Sequence, residues 1–277
     1  MRLSITSVVT KRPLLGLLLL AELILAISLL DRLPVNAPAG APVAAPASLT
    51  TPGPPETLTL RDGRTVHLVG LGGPRTEPLL ARIAAQMDDA ADAVTAFWGR
   101  DWRREILIVA AGSDAQFGTL AGGGADTAAT TTSERIMFAP GAAGMSDAAL
   151  RIVLRHELFH YASRADTAAD APRWLTEGVA DFVGRPPAPR PENAAQMARL
   201  PTDADLDGPQ RSLAYDQAWW FSRFVAQEYG APTLRALYLR ACRPGHPDAA
   251  TAVRDTLGAD LDAVLTRWRQ WLSGEDG

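Results

Sequence analysis

The sequence predicts an α+β domain whose strands come first and whose helices come later. Short β-rich runs occupy residues 57–60, 65–69, 105–110 and 136–138. From Ser146 onward, apolar residues recur at helical spacing with few interruptions. A hydrophobic content of 47 % in 277 residues is enough for one real core with appendages. The expected architecture is therefore a small N-terminal sheet with a helix, then a mostly helical half. One hydrophobic helix precedes both.

That first helix is read from residues 1–33. Arg2, Lys11 and Arg12 precede an apolar stretch of 18 residues, 13–30, broken only by Glu22 and closed by Asp31 and Arg32. A signal-peptide core needs roughly 7–15 apolar residues and a bilayer span roughly 17–25, so the length favours a signal anchor. Small-residue sites at Ala37-Pro38-Ala39 and Ala45-Pro46-Ala47 keep a cleaved signal peptide open. In both cases the positive charge before the stretch stays in the cytoplasm, and the chain beyond the stretch is exported. The expected address is extracytoplasmic: membrane-anchored, or secreted if the segment is cleaved. Residues 34–55, with seven prolines among alanines, form an extended linker. The folded domain is expected over 56–277.

Its first element is a hairpin, 57–60 and 65–69, around an Asp62-Gly63 turn. One helix is expected over 77–98, where Leu80, Ile83, Ala84, Met87, Ala91, Val94 and Trp98 share a face. A buried strand at 105–110 and a short helix at 114–120 follow. Gly122-Gly123-Gly124 then opens a loop, a plain connection or the hinge of a lid. The strand at 136–138 is either a core strand or an edge that could pair with an extended peptide. Ser146 and Asp147 suit the start of the next helix. Further helices are expected at 172–184, 192–200, 212–229, 232–241, 248–257 and 260–272.

Several functions are excluded early. A net charge of −4 and no basic run beyond the N-terminus argue against a nucleic-acid partner. Cys242 is the sole cysteine, so no intrachain disulfide forms, and a small buried apolar role fits it. Trp174, Trp219 and Trp220 read as core residues, and His67 as a surface strand residue.

The informative motif is His156-Glu157-Leu158-Phe159-His160, in a chain with only four histidines. Histidines four apart on a helix share a face, with Cβ atoms about 5–6 Å apart. Both can reach one Zn²⁺ at about 2.0–2.1 Å, while Glu157, rotated away, can hold a water against the metal. Two histidines still leave a catalytic zinc one protein ligand short. Fourteen residues after His160 comes Trp174-Leu175-Thr176-Glu177-Gly178-Val179-Ala180-Asp181, so sixteen residues separate His160 from Glu177.

With these segments the chain resembles the gluzincin metallopeptidases, specifically the peptidase MA-like domains, over about residues 75–272. A later helix with Ala214, Tyr215, Ala218 and Phe221 adds a weaker likeness. The resemblance implies a zincin-like helical half that carries one zinc ion on His156, His160 and Glu177. It also implies Glu157 as general base and Asp181 as the carboxylate orienting a zinc-binding histidine, His156. Tyr215 resembles the tyrosine that can steady the developing oxyanion; His246, in Pro244-Gly245-His246-Pro247, competes for that role. The interval between His160 and Glu177 is slightly shorter than in the best-known gluzincins. No acidic motif of the aminopeptidase kind is present, so the expected activity is endopeptidase, on a peptide or protein substrate. The rival expectation is an exported, non-catalytic binding or assembly domain that keeps zinc for its structure.

Overall fold

The structure is a computed structural model that describes residues 55–122 and 126–274. The N-terminal segment 1–33 and the linker through residue 54 lie outside the described residues, as do Gly123 and Gly124. Among the described residues no helix is long and apolar enough to cross a membrane.

The expected hairpin is present. Strands β1 (Glu56–Thr59) and β2 (Thr65–Gly70) pair antiparallel, Glu56 opposite Leu68. Gly63 takes φ +82°, the left-handed backbone that a residue with a Cβ avoids. Burial alternates along β2, with Val66 and Leu68 against the core. β3 (Glu105–Ala110) runs parallel to β2, and β5 (Ile136–Phe138) runs parallel to β3. β4 (Ala129–Thr131), three residues with no periodic signal in the sequence, closes the sheet antiparallel to β5. The order is β1-β2-β3-β5-β4. Of the two expectations for 136–138 the core strand holds: it is an inner strand, fully buried, and the edge on that side of the sheet is β4.

The helix expected over 77–98 is corrected. It is two helices, α1 (Thr76–Ala84) and α2 (Met87–Trp98). Gln86 has φ −111° and ψ −2°, and its N–H bonds the Ile83 carbonyl three residues back. The apolar stripe runs on through the break: Leu79, Leu80 and Ile83, then Met87, Ala91, Val94 and Trp98, are all buried. Both pieces therefore cover one face of the sheet. α3 (Asp114–Ala121), capped by Ser113, covers the other face with Phe117 against Val109 and Met137.

The rest is helical. α4 (Asp147–Ser163) starts at Ser146, whose hydroxyl accepts from the Ala149 N–H. Arg82 of α1 fixes that start, donating to Asp147 Oδ1 at 2.8 Å and to the Ala143 and Met145 carbonyls. α5 (Arg173–Gly184) follows a short 3₁₀ turn and loop. The helix expected at 192–200 shrinks to α6 (Ala194–Met197). Next comes a helix not expected, α7 (Asp203–Asp207), started by reciprocal hydrogen bonds between Thr202 and Asp205. α8 (Arg211–Tyr229), α9 (Ala231–Cys242), α10 (Ala249–Leu257) and α11 (Leu261–Ser273) complete the chain.

Edge-to-face aromatics lock these helices together. Trp98, Phe159 and Tyr238 meet pairwise with centroids 5.3–5.6 Å apart, joining α2, α4 and α9. Phe221 of α8 contacts Trp174 of α5 and Trp268 of α11. Trp174, Trp219 and Trp220 are buried as expected. Cys242 is buried too, and burial pushes its thiol up to about 12. Helices α5 and α8 touch backbone to backbone at Gly178, where an added Cβ would lie 2.4 Å from the Ala218 carbonyl oxygen.

Candidate metal centre

The centre forms where α4 and α5 cross beneath the β4 edge. The apolar side of α4, including Leu150, Val153, Leu154 and Leu158, packs inward. The His156–His160 stripe is left facing a cavity of about 280 Å³, whose wall also carries Thr131, Glu157, Glu177 and Tyr215. α5 brings Glu177 to the same side, and one carboxylate oxygen of Glu177 and one ring nitrogen of each histidine all lie within 4.8 Å of one another.

Their separations test the fit of a metal. His156 Nε2 lies 3.1 Å from His160 Nε2, and Glu177 Oε2 lies 3.3 Å and 3.4 Å from those two nitrogens. Donors bound tetrahedrally at about 2.0–2.1 Å stand roughly 3.3–3.4 Å apart. Three such side chains, two imidazoles and a carboxylate, therefore fit zinc without rearrangement.

Burial and charge couple the three side chains to one another. His156 is 3 % exposed and Glu177 7 %. Burial alone would lower the His156 pKa, but the Asp181 and Glu177 carboxylates outweigh it and hold the ring up to about 10. Burial likewise opposes ionisation of Glu177, yet the two histidines hold it well below the usual carboxylate range. A divalent ion would take over from the imidazolium proton as partner of Glu177.

Each residue expected from the sequence can now be placed. Asp181, fully buried, accepts from His156 Nδ1 at 2.9 Å, which turns Nε2 toward the cavity. Glu157 lies beside the triad and accepts a hydrogen bond from Thr131, whose Oγ1 is 2.6 Å from Glu157 Oε2 and 2.9 Å from the Glu157 carbonyl oxygen. Tyr215 lines the cavity, and burial, reinforced by Glu177, raises its pKa well above the ordinary value. His246 is not brought into the cavity wall: its Nδ1 donates to the Pro247 carbonyl at 2.7 Å and its Nε2 lies 3.5 Å from Asp170.

Two residues that touch this machinery are not evident from motif spacing. Thr131 sits in the short strand that no periodicity announces, although Thr130-Thr131-Thr132 is a visible β-branched run. Arg185 meets the free oxygen of Asp181 at 2.5 Å. The spacing of Asp181 and Arg185 is a readable i, i+4 ion pair.

No family model matches the chain, and no curated protein does. Among solved structures it is similar to a mutant M1 zinc metallopeptidase from Deinococcus radiodurans, at 16 % identity and a TM-score of 0.47. The match covers 79 % of this chain and 52 % of the other, so the chain spans about half the length of that neighbour. A likeness at that level assigns no role to any residue.

Proposed function

We propose that the chain is a zinc-dependent metallopeptidase, an endopeptidase that hydrolyses peptide bonds outside the cytoplasm. The observation that carries this is the triangle of His156, His160 and Glu177 donors beside Glu157 on an open cavity wall. The cluster has three protein ligands among the described residues, and catalytic zinc sites take three where structural ones take four. That favours an enzyme over a domain that keeps zinc for structure.

Zinc held by the triad would supply Lewis acidity, bringing the pKa of water at its open position to roughly 7. Glu157 takes a proton from the attacking water and delivers it to the leaving amine nitrogen as the carbon–nitrogen bond breaks. Thr131 holds Oε2 of Glu157, which fixes the carboxylate rotamer for that transfer. Asp181 holds His156 through Nδ1. Tyr215, which keeps its proton because it is buried, donates to the oxyanion that develops on the scissile carbonyl. β4, which ends the sheet on the cavity side and lines the cavity wall, pairs with an extended substrate.

In this reading residues 1–33 export the domain 56–277 and residues 34–55 hold it away from the membrane. Protease accessibility of the intact chain in cells tests that address.

The activity is tested with the full chain on a peptide library. Glu157→Gln should lower hydrolysis by about 10²–10⁴-fold while one zinc per chain remains bound. His156→Ala should lose the metal itself. Hydrolysis that survives Glu157→Gln at the wild-type rate would sink the mechanism.

A further inference from the structure

We propose that Arg185 is a positioning residue for the metal centre: it holds Asp181 in the orientation that presents His156, and Asp216 in turn anchors Arg185. This rests on the metallopeptidase reading and extends it from α4 and α5 to α8.

The chain of contacts is continuous. His156 Nδ1 lies 2.9 Å from Asp181 Oδ1, and Asp181 Oδ2 lies 2.5 Å from an Arg185 terminal nitrogen. The other terminal nitrogen of Arg185 donates to Asp216 Oδ1 at 2.7 Å. The Arg185 and Asp181 side chains are 4 % and 0 % exposed, so this is a buried pair rather than a surface contact. The Trp219 ring lies over the guanidinium at 5.0 Å. Backbone geometry ties the same point to the histidine helix. A Cβ at Gly184 would lie 2.9 Å from the Ile152 carbonyl oxygen and 3.4 Å from the His156 nitrogen. The residue just before Arg185 thus lies against α4 at the level of His156.

Charge gives this arrangement its purpose. A histidine that offers Nε2 to a metal is neutral, so it cannot balance a fully buried aspartate. The Arg185 guanidinium, an ion-pair partner of Asp181, brings the opposite charge. By occupying Oδ2 it leaves Oδ1 as the oxygen for His156, which sets the carboxylate plane and hence the imidazole. Stability alone does not account for the pair, because apolar residues of similar volume often serve equally well.

The test measures zinc affinity by chelator competition, together with the melting temperature of the metal-free protein. It uses the full chain as wild type, Arg185→Met, Arg185→Lys and Asp216→Asn. Arg185→Met should weaken zinc binding by about 10–100-fold, as loss of a group orienting a metal-bound histidine does. Arg185→Lys, which keeps the charge but not the two-pronged geometry, should recover part of that loss. Asp216→Asn, at the partly exposed end of the chain of contacts, should weaken zinc by a smaller factor. A lowered melting temperature with zinc affinity within about twofold of wild type would mean a structural role only and overturn the inference. If Arg185→Met fails to fold, Arg185→Lys and Asp216→Asn decide the matter by the same criterion. A wild-type chain that binds no zinc overturns the metallopeptidase reading itself, and the inference with it.

Discussion

The sheet half and the helical half of this molecule handle charge in opposite ways. On the sheet side, Arg61 reaches Asp88, Asp89 and Asp92 of α2, and every one of those side chains is more than two-fifths exposed. Water screens such pairs, and they add little to stability. The one buried cation there among the described residues, Arg64, is satisfied locally, by Asp62, by the Arg100 and Arg103 carbonyls and by the Trp102 ring. In the helical half, His156, Glu177, Asp181 and Arg185 are all buried and face one another as ion-pair partners across α4 and α5, with Asp181 Oδ2 and the Arg185 nitrogen beside it left without a hydrogen bond among the described residues. Removing such groups from water costs several kcal/mol each before pairing is counted. A fold tolerates that concentration where geometry matters more than stability. The sheet builds a platform, and the helices build a centre.

Three substitutions would break or sharpen that contrast. The largest effect is expected from Asp181→Ala, which strips His156 and Arg185 of a shared buried partner. It should cost about 3 kcal/mol in urea unfolding of the metal-free chain, at the low end for breaking a buried pair because Asp216 still engages Arg185. A loss below about 1 kcal/mol would show that these buried charges behave like surface ones. Next comes Thr131→Val, which removes the only sheet side chain bonded to Glu157 among the described residues. Peptide hydrolysis should fall about tenfold, the scale of losing a hydrogen bond of about 1.5 kcal/mol to a charged group, with zinc content unchanged. An undiminished rate would separate the sheet from the chemistry altogether. The smallest effect is expected from Arg61→Ala, within about 0.5 kcal/mol of wild type in the same unfolding assay. A larger loss would mean that the exposed cluster on α2 is not screened as its exposure implies.

The same division decides how much the sequence discloses. The centre is legible because its spacings are helical: 156 to 160 on one helix and 177 to 181 on the next project side chains by a fixed rule. The break at Ala85–Gln86 is not, since no proline or glycine marks it and the apolar stripe continues across it. β4 is hidden for another reason. Three residues are too few for alternation to register, and what places them is pairing with β5, a contact between distant parts of the chain. Tyr215 is suggested by resemblance alone, and the cavity wall does include it. His246 has comparable chemistry to offer, but the loop geometry at Pro247 and Asp170 turns it elsewhere.

Gly178 is neither a donor nor an acid, yet it sets a dimension of the centre. It follows Glu177 directly, and its missing methyl group is what lets α8 lie against α5 at Ala218. Tyr215 stands three residues before Ala218, nearly one turn along the same helix. The height of that phenol above the triad is therefore gauged by an atom that is not there. Any side chain at 178 would press on the Ala218 carbonyl, wedge the two helices apart and shift Tyr215 relative to the triad with every proposed catalytic group still in the sequence. A survey of functional side chains would pass over the residue that calibrates them.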